Sequence, residues 1–246
     1  MKAMILAAGL GTRLKPVTDH LPKALVPLGG KPLLYHVLMK LNKAGVNAFI
    51  VNVHHHHEQI SRYLSDNDNF GFNIEISYET DLLDTGGGLK KAAWFFEDNV
   101  PFILHNVDVI SSIDLKKMYA FHLEREALVT AAVKQRETSR YLLFDDAKNL
   151  VGWRSKESGE TRLSRKEKGS LNEWSFLGIH VISPEIFSHF PKESRFSIIE
   201  FYLSMAKETD RITAYDCNPE FWLDLGRKEN FTDAEKFVKS LPRRNH

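Results

Sequence analysis

A short glycine-containing turn near the N-terminus carries residue types that bind phosphate. The stretch "LAAGLGTRLKP" covers residues 6–16 and directly follows the apolar run "KAMIL". Gly9 and Gly11 permit a sharp backbone turn whose N–H groups converge on one point, and such a concavity binds anions. Thr12 adds a hydroxyl donor, and Arg13 adds a planar guanidinium that suits phosphate oxygens. The turn therefore predicts a phosphate-binding site.

Two common phosphate-binding motifs do not fit this turn. A dinucleotide fingerprint needs a third glycine where Leu14 stands, and a Walker A loop needs a terminal Gly-Lys-Ser/Thr, which the turn lacks. Lys15 and Lys23 add point charges nearby. The combined positive charge exceeds what a diphosphate cofactor requires, and packing alone does not explain Arg13.

Asp108 is a second candidate for chemistry. It follows the apolar run "PFILHN", which is typical of a buried strand. A carboxylate just beyond such a strand suits a hard cation such as Mg²⁺, although a lone aspartate there is equally compatible with a simple turn.

The elements that must position these residues alternate along the first half of the chain. Apolar runs such as "KAMIL", "AFIVNV" and "PFILHN" predict buried strands, and amphipathic stretches such as "PLLYHVLMKLNKAGV" predict helices between them. This rhythm predicts an α/β, Rossmann-like fold, with a mostly parallel central sheet and helices on both faces. Ligands of such sheets bind at the carboxyl ends of the strands, so the loops after Leu6, Tyr78 and Asn106 are the expected site.

The second half of the chain is less regular. "YLLFDDAKNLVGW" predicts a hairpin, and "WSFLGIHVI", "RITAYD" and "FWLDL" predict strands. The polar stretch 153–173 is compatible with either a mobile lid or a solvated hairpin. No linker or internal repeat interrupts the chain, so one domain over residues 1–246 is the simplest interpretation.

Composition excludes several classes of function. The net charge of 246 residues is only +1, which argues against nucleic acid or an anionic membrane surface as a partner. The single cysteine, Cys217, excludes an internal disulfide and is typical of a packing residue. No signal peptide is evident, and no apolar run approaches the roughly 18 residues of a membrane span. We expect a soluble cytoplasmic protein, either a monomer or a small homo-oligomer.

The N-terminal turn belongs to a longer pattern with a family resemblance. "MILAAGLGTRLKPVTDHLPKALVPLGGKPLL" resembles the signature of the sugar-1-phosphate nucleotidyltransferases in both of its halves, Gly-x-Gly-Thr-Arg-Leu-x-Pro and Pro-Lys-x-Leu-x-Pro. The resemblance implies three roles: nucleobase contact by Leu6, Ala7, Ala8 and Gly9; triphosphate binding by Gly11, Thr12 and Arg13; and, for Lys23, a position between the phosphates of the two substrates.

Later segments resemble the same family in order. "LLDTGGGLKKA" resembles its second glycine turn, which implies that Gly86 and Gly87 approach the nucleobase and sugar. "PFILHNVDVI" and "FWLDLGRKENF" resemble its two metal-binding segments, although the family usually shows Asn-Gly-Asp and Gly-Thr-Pro there. "NEWSFLGIHVISPEIF" resembles its sugar-side strand. The implied roles are a nucleotide contact for Asn106, metal ligation for Asp108 and Asp224, and sugar contacts for Glu173 and Gly178.

The resemblance implies a nucleotidyl transfer from a nucleoside triphosphate to a sugar 1-phosphate. A phosphate monoester has a second pKa of about 6, so the nucleophile needs no general base near neutrality. The expected catalytic groups are Arg13, Lys23 and Asp108, with Mg²⁺, or Mn²⁺ in its place, on the two aspartates. Residues 1–110 are expected to bind the nucleotide and residues 111–246 the sugar phosphate.

The substrates remain open at this point. The resemblance of the turn at residues 85–88 narrowly favours uridylyl transfer to N-acetylmuramate 1-phosphate or a related sugar over mannose- or heptose-1-phosphate guanylyl transfer. A non-catalytic sugar-nucleotide sensor and a cytidylyltransferase acting on phosphocholine are the alternatives of other classes. A metal site in the run His54–His57 is not expected, because four adjacent imidazoles point in different directions. His105, at a strand end near Asp108, is expected to be structural or to support the site from behind the residues that contact ligands.

Overall fold

Strands and helices alternate through the first half of the chain, as its apolar runs predict. The structure, a computed structural model, describes residues 1–166 and 169–241. The strands are β1 (Lys2–Leu6), β2 (Pro27–Leu28), β3 (Lys31–Pro32), β4 (Ala48–Val53), β5 (Asn73–Tyr78), β6 (Phe102–Asn106), β7 (Val109–Ser111), β8 (Val129–Lys134), β9 (Arg140–Phe144), β10 (Leu150–Ser155), β11 (Thr161–Leu163), β12 (Asn172–Ile182), β13 (Ile212–Asp216) and β14 (Trp222–Asp224). The α-helices are α1 (Leu33–Lys43), α2 (His57–Asp66), α3 (Asp84–Lys91), α4 (Leu115–Glu124), α5 (Ile198–Met205) and α6 (Phe231–Ser240).

Four strands of the first half form a continuous parallel part of the main sheet, in the order β5-β4-β1-β6. Strands β1, β4 and β6 are buried over most of their length, as expected where helices cover both faces of a parallel sheet. The register places Leu6 beside Asn52 on one side and beside Asn106 on the other. The carboxyl ends of three strands therefore meet at one edge of the sheet.

The second half extends the same sheet, mainly with antiparallel pairs. Strand β12 pairs with β6, β8 and β9 in the antiparallel sense, whereas β13 runs parallel to β8. The predicted hairpin at 141–153 is confirmed, since β9 and β10 are antiparallel neighbours. The α/β prediction is confirmed, and the antiparallel pairs of β12 are the feature that the apolar runs did not specify.

Helices cover both faces because successive strand residues point to opposite sides. Ala3 and Ile5 of β1 pack into one core with helices α1, α2 and α4, while Met4 packs into a second core with α3 and α5. The predicted apolar stripe of α1 is at most 1% exposed at each of its four positions, Leu34, Val37, Leu38 and Leu41. Burying a side chain of this size contributes about 1.5–3 kcal/mol, so the stripe fixes α1 to the sheet.

The polar stretch after Trp153 is a hairpin. Strand β11 pairs antiparallel with β10, and Arg162 of β11 donates to both carboxylate oxygens of Glu200 on α5, at 2.8 and 2.9 Å. Of the two alternatives, the described part matches the solvated hairpin; residues 167–168 of the stretch lie outside the described residues. Across residues 1–166 and 169–241, no helix combines the length and apolar character needed to cross a bilayer.

Candidate active site

A cavity of about 430 Å³ opens at the carboxyl edge of β1 and β6. Its walls come from the loops after Leu6, Tyr78 and Asn106, as the parallel sheet predicted. The residues of the predicted site that line it are Leu6, Ala7, Ala8, Gly9, Gly11, Thr12, Arg13, Lys23, Asn106 and Asp108. The structure thus brings together residues as far apart in the chain as Leu6 and Asp108.

Gly11 shapes the N-terminal turn. Its φ of +64° lies in the left-handed region, and a Cβ there would stand 2.9 Å from Cγ2 of Thr18. Its carbonyl accepts hydrogen bonds from Oγ1 of Thr18 at 2.8 Å and from the N–H of Leu14 at 2.9 Å. The glycine therefore allows the tight turn that directs Thr12 and Arg13 toward the cavity.

Asn52 and Glu79 form a buried polar support beneath this turn. The Asn52 side chain accepts from the N–H of Ala7 at 2.8 Å and donates to the Glu79 carboxylate at 2.6 Å. The other Glu79 oxygen accepts from the N–H of Leu83 at 3.1 Å. Sequence reasoning missed both residues, although the polar asparagine near the end of "AFIVNV" was an available signal.

Two ion pairs join the cavity residues Lys23 and Arg13 to the two predicted metal ligands, of which Asp108 lines the cavity and Asp224 does not. The Lys23 ammonium pairs with the Asp108 carboxylate, and both side chains are largely buried, at 10% and 17% exposure. The Arg13 guanidinium lies 3.8 Å from the carboxylate of Asp224. A Cβ on Gly226 would stand 2.3 Å from this guanidinium, so the glycine makes room for Arg13.

The two aspartates come from neighbouring strand ends. In the β7–β14 pair, Asp224 faces Val109, and the N–H of Leu225 donates to the Asp108 carbonyl at 2.8 Å. The described residues contain no group of three or more His, Cys, Asp or Glu side chains that could hold a metal. Two carboxylates beside the N-terminal glycine turn nevertheless fit Mg²⁺, which commonly takes one or two protein carboxylates and completes its shell with water and substrate phosphates.

The expected second glycine turn is wrong as a description of the local structure. Gly86, Gly87 and Gly88 lie inside helix α3 and are buried. A Cβ on Gly86 would collide with the Phe196 ring at 2.3 Å, and one on Gly87 with the Ser194 carbonyl at 2.1 Å. Close packing against the protein thus explains these glycines. Neither Gly86 nor Gly87 is among the residues that line the cavity, and their nucleotide contacts stay a prediction.

The two sugar-side candidates differ. Glu173 forms an ion pair with Arg154 and does not line the cavity. Gly178 lies at an irregularity of β12 with a φ of +75°, and a Cβ there would stand 2.7 Å from the side-chain nitrogen of Asn106. Gly178 therefore makes room for the side chain of a cavity residue, and direct sugar contacts by either residue stay predictions.

Arg195 is a cavity residue that sequence reasoning missed. It lines the cavity from the second half of the chain. The backbone beside it is tied to α3, because the N–H of Phe196 donates to the Leu83 carbonyl at 3.2 Å and the N–H of Gly86 donates to the Phe196 carbonyl at 3.0 Å. Only a tertiary contact places this arginine, so no local pattern could have found it.

The histidines contact protein groups. His105 is fully buried, its Nδ1 lies 2.8 Å from the Asn106 carbonyl oxygen, and burial lowers its pKa to about 3. The ring is therefore neutral, which fits the expected structural role. In the run His54–His57, Nδ1 of His54 lies 2.8 Å from the Glu79 carbonyl oxygen, while His57 packs on Tyr78.

The fold and the cavity define an α/β protein with a cavity at the carboxyl edge of its sheet, lined by a glycine-containing turn that carries Arg13. The chain belongs to the nucleotidyl transferase family, whose pattern matches residues 2–240.

Curated relatives of the chain include two enzymes of different nucleotide preference. A D-glycero-alpha-D-manno-heptose 1-phosphate guanylyltransferase of Aneurinibacillus thermoaerophilus is 30% identical over 96% of this chain and 97% of its own length. A UTP--glucose-1-phosphate uridylyltransferase of Synechocystis is 30% identical over the whole chain, which spans only 65% of that relative. The crystal structure of HddC from Yersinia pseudotuberculosis superposes with a TM-score of 0.76 at 25% identity, covering 96% of this chain and 99% of that one.

Proposed function

We propose that this chain is a sugar-1-phosphate nucleotidyltransferase, which converts a nucleoside triphosphate and a sugar 1-phosphate into an NDP-sugar and pyrophosphate. The observation that carries the proposal is the convergence of Arg13, Lys23 and Asp108 on one cavity beside the N-terminal glycine turn. Membership of the nucleotidyl transferase family supports the same reaction.

The reaction needs charge compensation more than proton transfer. A phosphate oxygen of the sugar 1-phosphate attacks the α-phosphorus, the bond from that phosphorus to the β-phosphate oxygen breaks, and pyrophosphate leaves with the electron pair. With a second pKa of about 6, the attacking phosphate is mostly a dianion near neutrality. Two polyanions must then approach each other, which requires positive charge between them.

Arg13 and Lys23 supply that charge. Arg13 lies in the glycine turn, where its guanidinium is positioned to stabilise charge on the transferring phosphoryl group and on pyrophosphate. Lys23 is largely buried against Asp108, which holds its ammonium group at the cavity wall, where the sugar phosphate is expected to bind. Arg195 adds a third cation to the cavity lining.

Asp108 and Asp224 would hold Mg²⁺, or Mn²⁺ in its place. When bound, such an ion neutralises phosphate charge and aligns the triphosphate for in-line attack. Binding would require Asp108 and Asp224 to exchange their present partners, Lys23 and Arg13, which become available to the phosphates.

The substrates follow the preference stated from the sequence. We propose uridylyl transfer to N-acetylmuramate 1-phosphate or a related sugar, with the nucleotide on residues 1–110 and the sugar phosphate on residues 111–246. The second candidate is guanylyl transfer, which the heptose 1-phosphate guanylyltransferase relative favours through its matching length. The proposed setting is the cytoplasm, as a monomer or small homo-oligomer.

A pyrophosphate-release assay tests the proposal. The protein is incubated with Mg²⁺, each common nucleoside triphosphate, and 1-phosphates of N-acetylmuramate, glucose, N-acetylglucosamine, mannose and heptose. We expect one nucleotide to be preferred by ~10²-fold or more, because a pocket that pairs with one base leaves polar groups unpaired with another. Nucleotide binding without pyrophosphate would favour the sensor, and turnover with CTP and phosphocholine alone would favour the cytidylyltransferase.

A further inference from the structure

Strands β7 and β14 carry the two predicted metal ligands at one end of a small separate sheet. Asp108 directly precedes β7, and Asp224 is the last residue of β14. The register sets Asp224 opposite Val109, so both aspartates lie at the same end of the pair. Across the described residues, the pair hydrogen-bonds as a sheet distinct from the ten-stranded one. The hydrogen bonds of the main sheet therefore do not determine where these two carboxylates stand relative to the glycine turn.

Apolar contacts hold this strand pair against the rest of the molecule. Val109 packs into the core that contains helices α1, α2 and α4, and Ile110 packs into a third core with Leu14 and Leu28. Apolar burial is not directional. The exact position of the pair is therefore left to directional polar contacts.

Lys40 of helix α1 makes such a contact with the end of β7. Its ammonium donates to the carbonyl of Ser111 at 2.9 Å and to that of Ile113 at 2.8 Å. Ser111 is the last residue of β7, and both carbonyls belong to buried residues. Since the apolar stripe of α1 fixes that helix to the main sheet, Lys40 links the small sheet to the large one.

The two strands of the pair are also tied to each other beside this contact. The N–H of Ser112 donates to the Phe221 carbonyl at 2.9 Å, and the Ser112 hydroxyl accepts from the N–H of Phe221 at 2.9 Å. On β14, the indole N–H of Trp222 donates to the Leu177 carbonyl of β12 at 2.8 Å. A displacement of β7 at Ser111 would therefore be passed on to β14 and to both aspartates.

The Lys40 ammonium keeps its charge in this half-buried position. Burial lowers its pKa to about 8, and the carboxylates of Glu220 and Asp114 oppose this shift. At neutral pH most of the side chain is therefore protonated. Hydrogen bonds from a charged donor are roughly twice as strong as those from a neutral one, which suits a group that holds a strand in place.

We infer that Lys40 is a positioning residue of the metal site: by fastening the end of β7 to α1, it keeps Asp108 and Asp224 side by side. The inference rests on the proposed function, in which these two aspartates hold Mg²⁺. Groups that orient metal ligands without touching the ion typically contribute about 10–100-fold to metal affinity. Because Lys40 acts through the backbone, we expect the lower end of that range.

Binding of Mn²⁺ alone tests the inference. Its Kd is measured from the electron paramagnetic resonance signal of the free ion, with no nucleotide or sugar present. In Lys40→Met, which removes the ammonium and keeps a long side chain, we expect the Kd to rise about tenfold. The matched control is Lys43→Met, at an exposed position of the same helix, where the Kd should stay that of the parent protein.

A second measurement separates positioning from a general loss of structure. The α,β-methylene analogues of UTP and GTP are titrated calorimetrically without metal, and Lys40→Met should bind them as the parent protein does, because the glycine turn follows β1 and not the strand pair. In turnover, the apparent KM for Mg²⁺ should rise while the KM for the sugar phosphate stays unchanged. If Lys40→Met does not fold, Lys40→Gln is measured in its place with the same expectations.

The outcomes separate this inference from the proposed function. An equal Kd for Mn²⁺ in the parent protein and the Lys40 variant, a parent protein that binds no Mn²⁺, or an equal loss of metal-free nucleotide binding would overturn the inference. Pyrophosphate release by the parent protein would leave the nucleotidyltransferase proposal intact in each case. Mn²⁺ binding that depends on Lys40, without pyrophosphate from any substrate pair, would support the inference and contradict the proposed function.

Discussion

At the scale of single residues, the guanidinium of Arg13 occupies space that a side chain on residue 226 would otherwise fill. A Cβ on Gly226 would stand 2.3 Å from Arg13 and 2.9 Å from Asp224. Gly226, more than two hundred positions further along the chain, thus leaves room for the guanidinium of Arg13. The segment "FWLDLGRKENF" keeps this glycine even though it departs from the family pattern after it.

Arg13→Ala is expected to lower kcat by ~10²–10³-fold, the usual effect of losing one preorganised donor to developing charge. Steady-state kinetics with the preferred substrates measure this. Arg125→Ala is the matched control, because that arginine donates to the Ala147 carbonyl outside the cavity lining. An unchanged kcat with only a raised KM would show that Arg13 binds substrate and transition state equally well.

If the two aspartates hold a divalent ion, as proposed, turnover should depend on that ion. We expect Asp108→Ala and Asp224→Ala to abolish pyrophosphate release, because each removes one of only two carboxylate ligands, while the circular dichroism spectrum stays that of the parent. Asp146→Ala, in the exposed β9–β10 turn, is the control. Full activity of the parent protein in excess EDTA would refute the two-carboxylate assignment.

At the scale of elements, helix α3 approaches the segment 194–196 so closely that a side chain has no room at Gly86 or Gly87. Gly87→Ala would place a Cβ 2.1 Å from the Ser194 carbonyl. The helix propensity gained, up to about 1 kcal/mol, is outweighed by an overpacking cost of about 1–3 kcal/mol. Urea denaturation should show a lower free energy of unfolding; Gly9→Ala, with no atom within 4 Å of its Cβ, should change it little. Equal stabilities would contradict this packing account.

Lys90 of helix α3 holds the segment that carries Arg195. Its ammonium donates to the carbonyls of Pro191, Lys192 and Glu193 at 2.6, 3.0 and 3.2 Å. We expect Lys90→Met to loosen this segment and to raise KM for the sugar phosphate roughly tenfold, the scale of a charge-assisted hydrogen bond, with a smaller effect on kcat.

Lys91→Met is the matched control for Lys90→Met, since the Lys91 side chain is exposed on the same helix. Equal KM values for the two variants would show that Lys90 does not position Arg195.

Local sequence patterns predicted the strands and helices, and they predicted the part of the site that lies in the first half of the chain. The apolar runs of β1 and β6 end where the fold places Leu6 and Asn106, so the carboxyl edge could be located from the sequence. The roles of other residues depend on which distant segment packs against them. These residues are the glycines of α3, the Asn52–Glu79 support and Arg195. The residues next to them in the sequence do not indicate that packing. The glycines were therefore interpreted as a turn, and the other residues were missed.

At the scale of the whole molecule, buried histidines make stability depend on pH. Burial lowers the pKa of His105 and His180 to about 3 and that of His122 to about 4. An unfolded histidine titrates near 6.5, so between about pH 6.5 and 4 the unfolded chain binds protons that the folded chain does not. The contribution of these neutral rings to the free energy of unfolding is therefore fully present above this window. It is lost as pH falls, by about 1.4 kcal/mol per pH unit for each histidine.

Urea denaturation at pH 7 and pH 5 measures this loss. We expect His122→Gln to reduce the difference in unfolding free energy between the two pH values, because it removes one of the histidines whose pKa burial lowers. His20→Gln, at an exposed position, should leave the difference unchanged. A pH-independent free energy of unfolding would contradict the neutral, buried state of these rings.

The most direct test of the central claim follows the oxygens of the sugar phosphate. A sugar 1-phosphate labelled with ¹⁸O at its three non-bridging oxygens is incubated with the preferred nucleoside triphosphate and Mg²⁺. The masses of the products are then measured by mass spectrometry. Attack by the sugar phosphate on the α-phosphorus predicts an NDP-sugar that keeps all three labels and a pyrophosphate that carries none. Label in pyrophosphate, or nucleoside monophosphate without an NDP-sugar, would contradict the account.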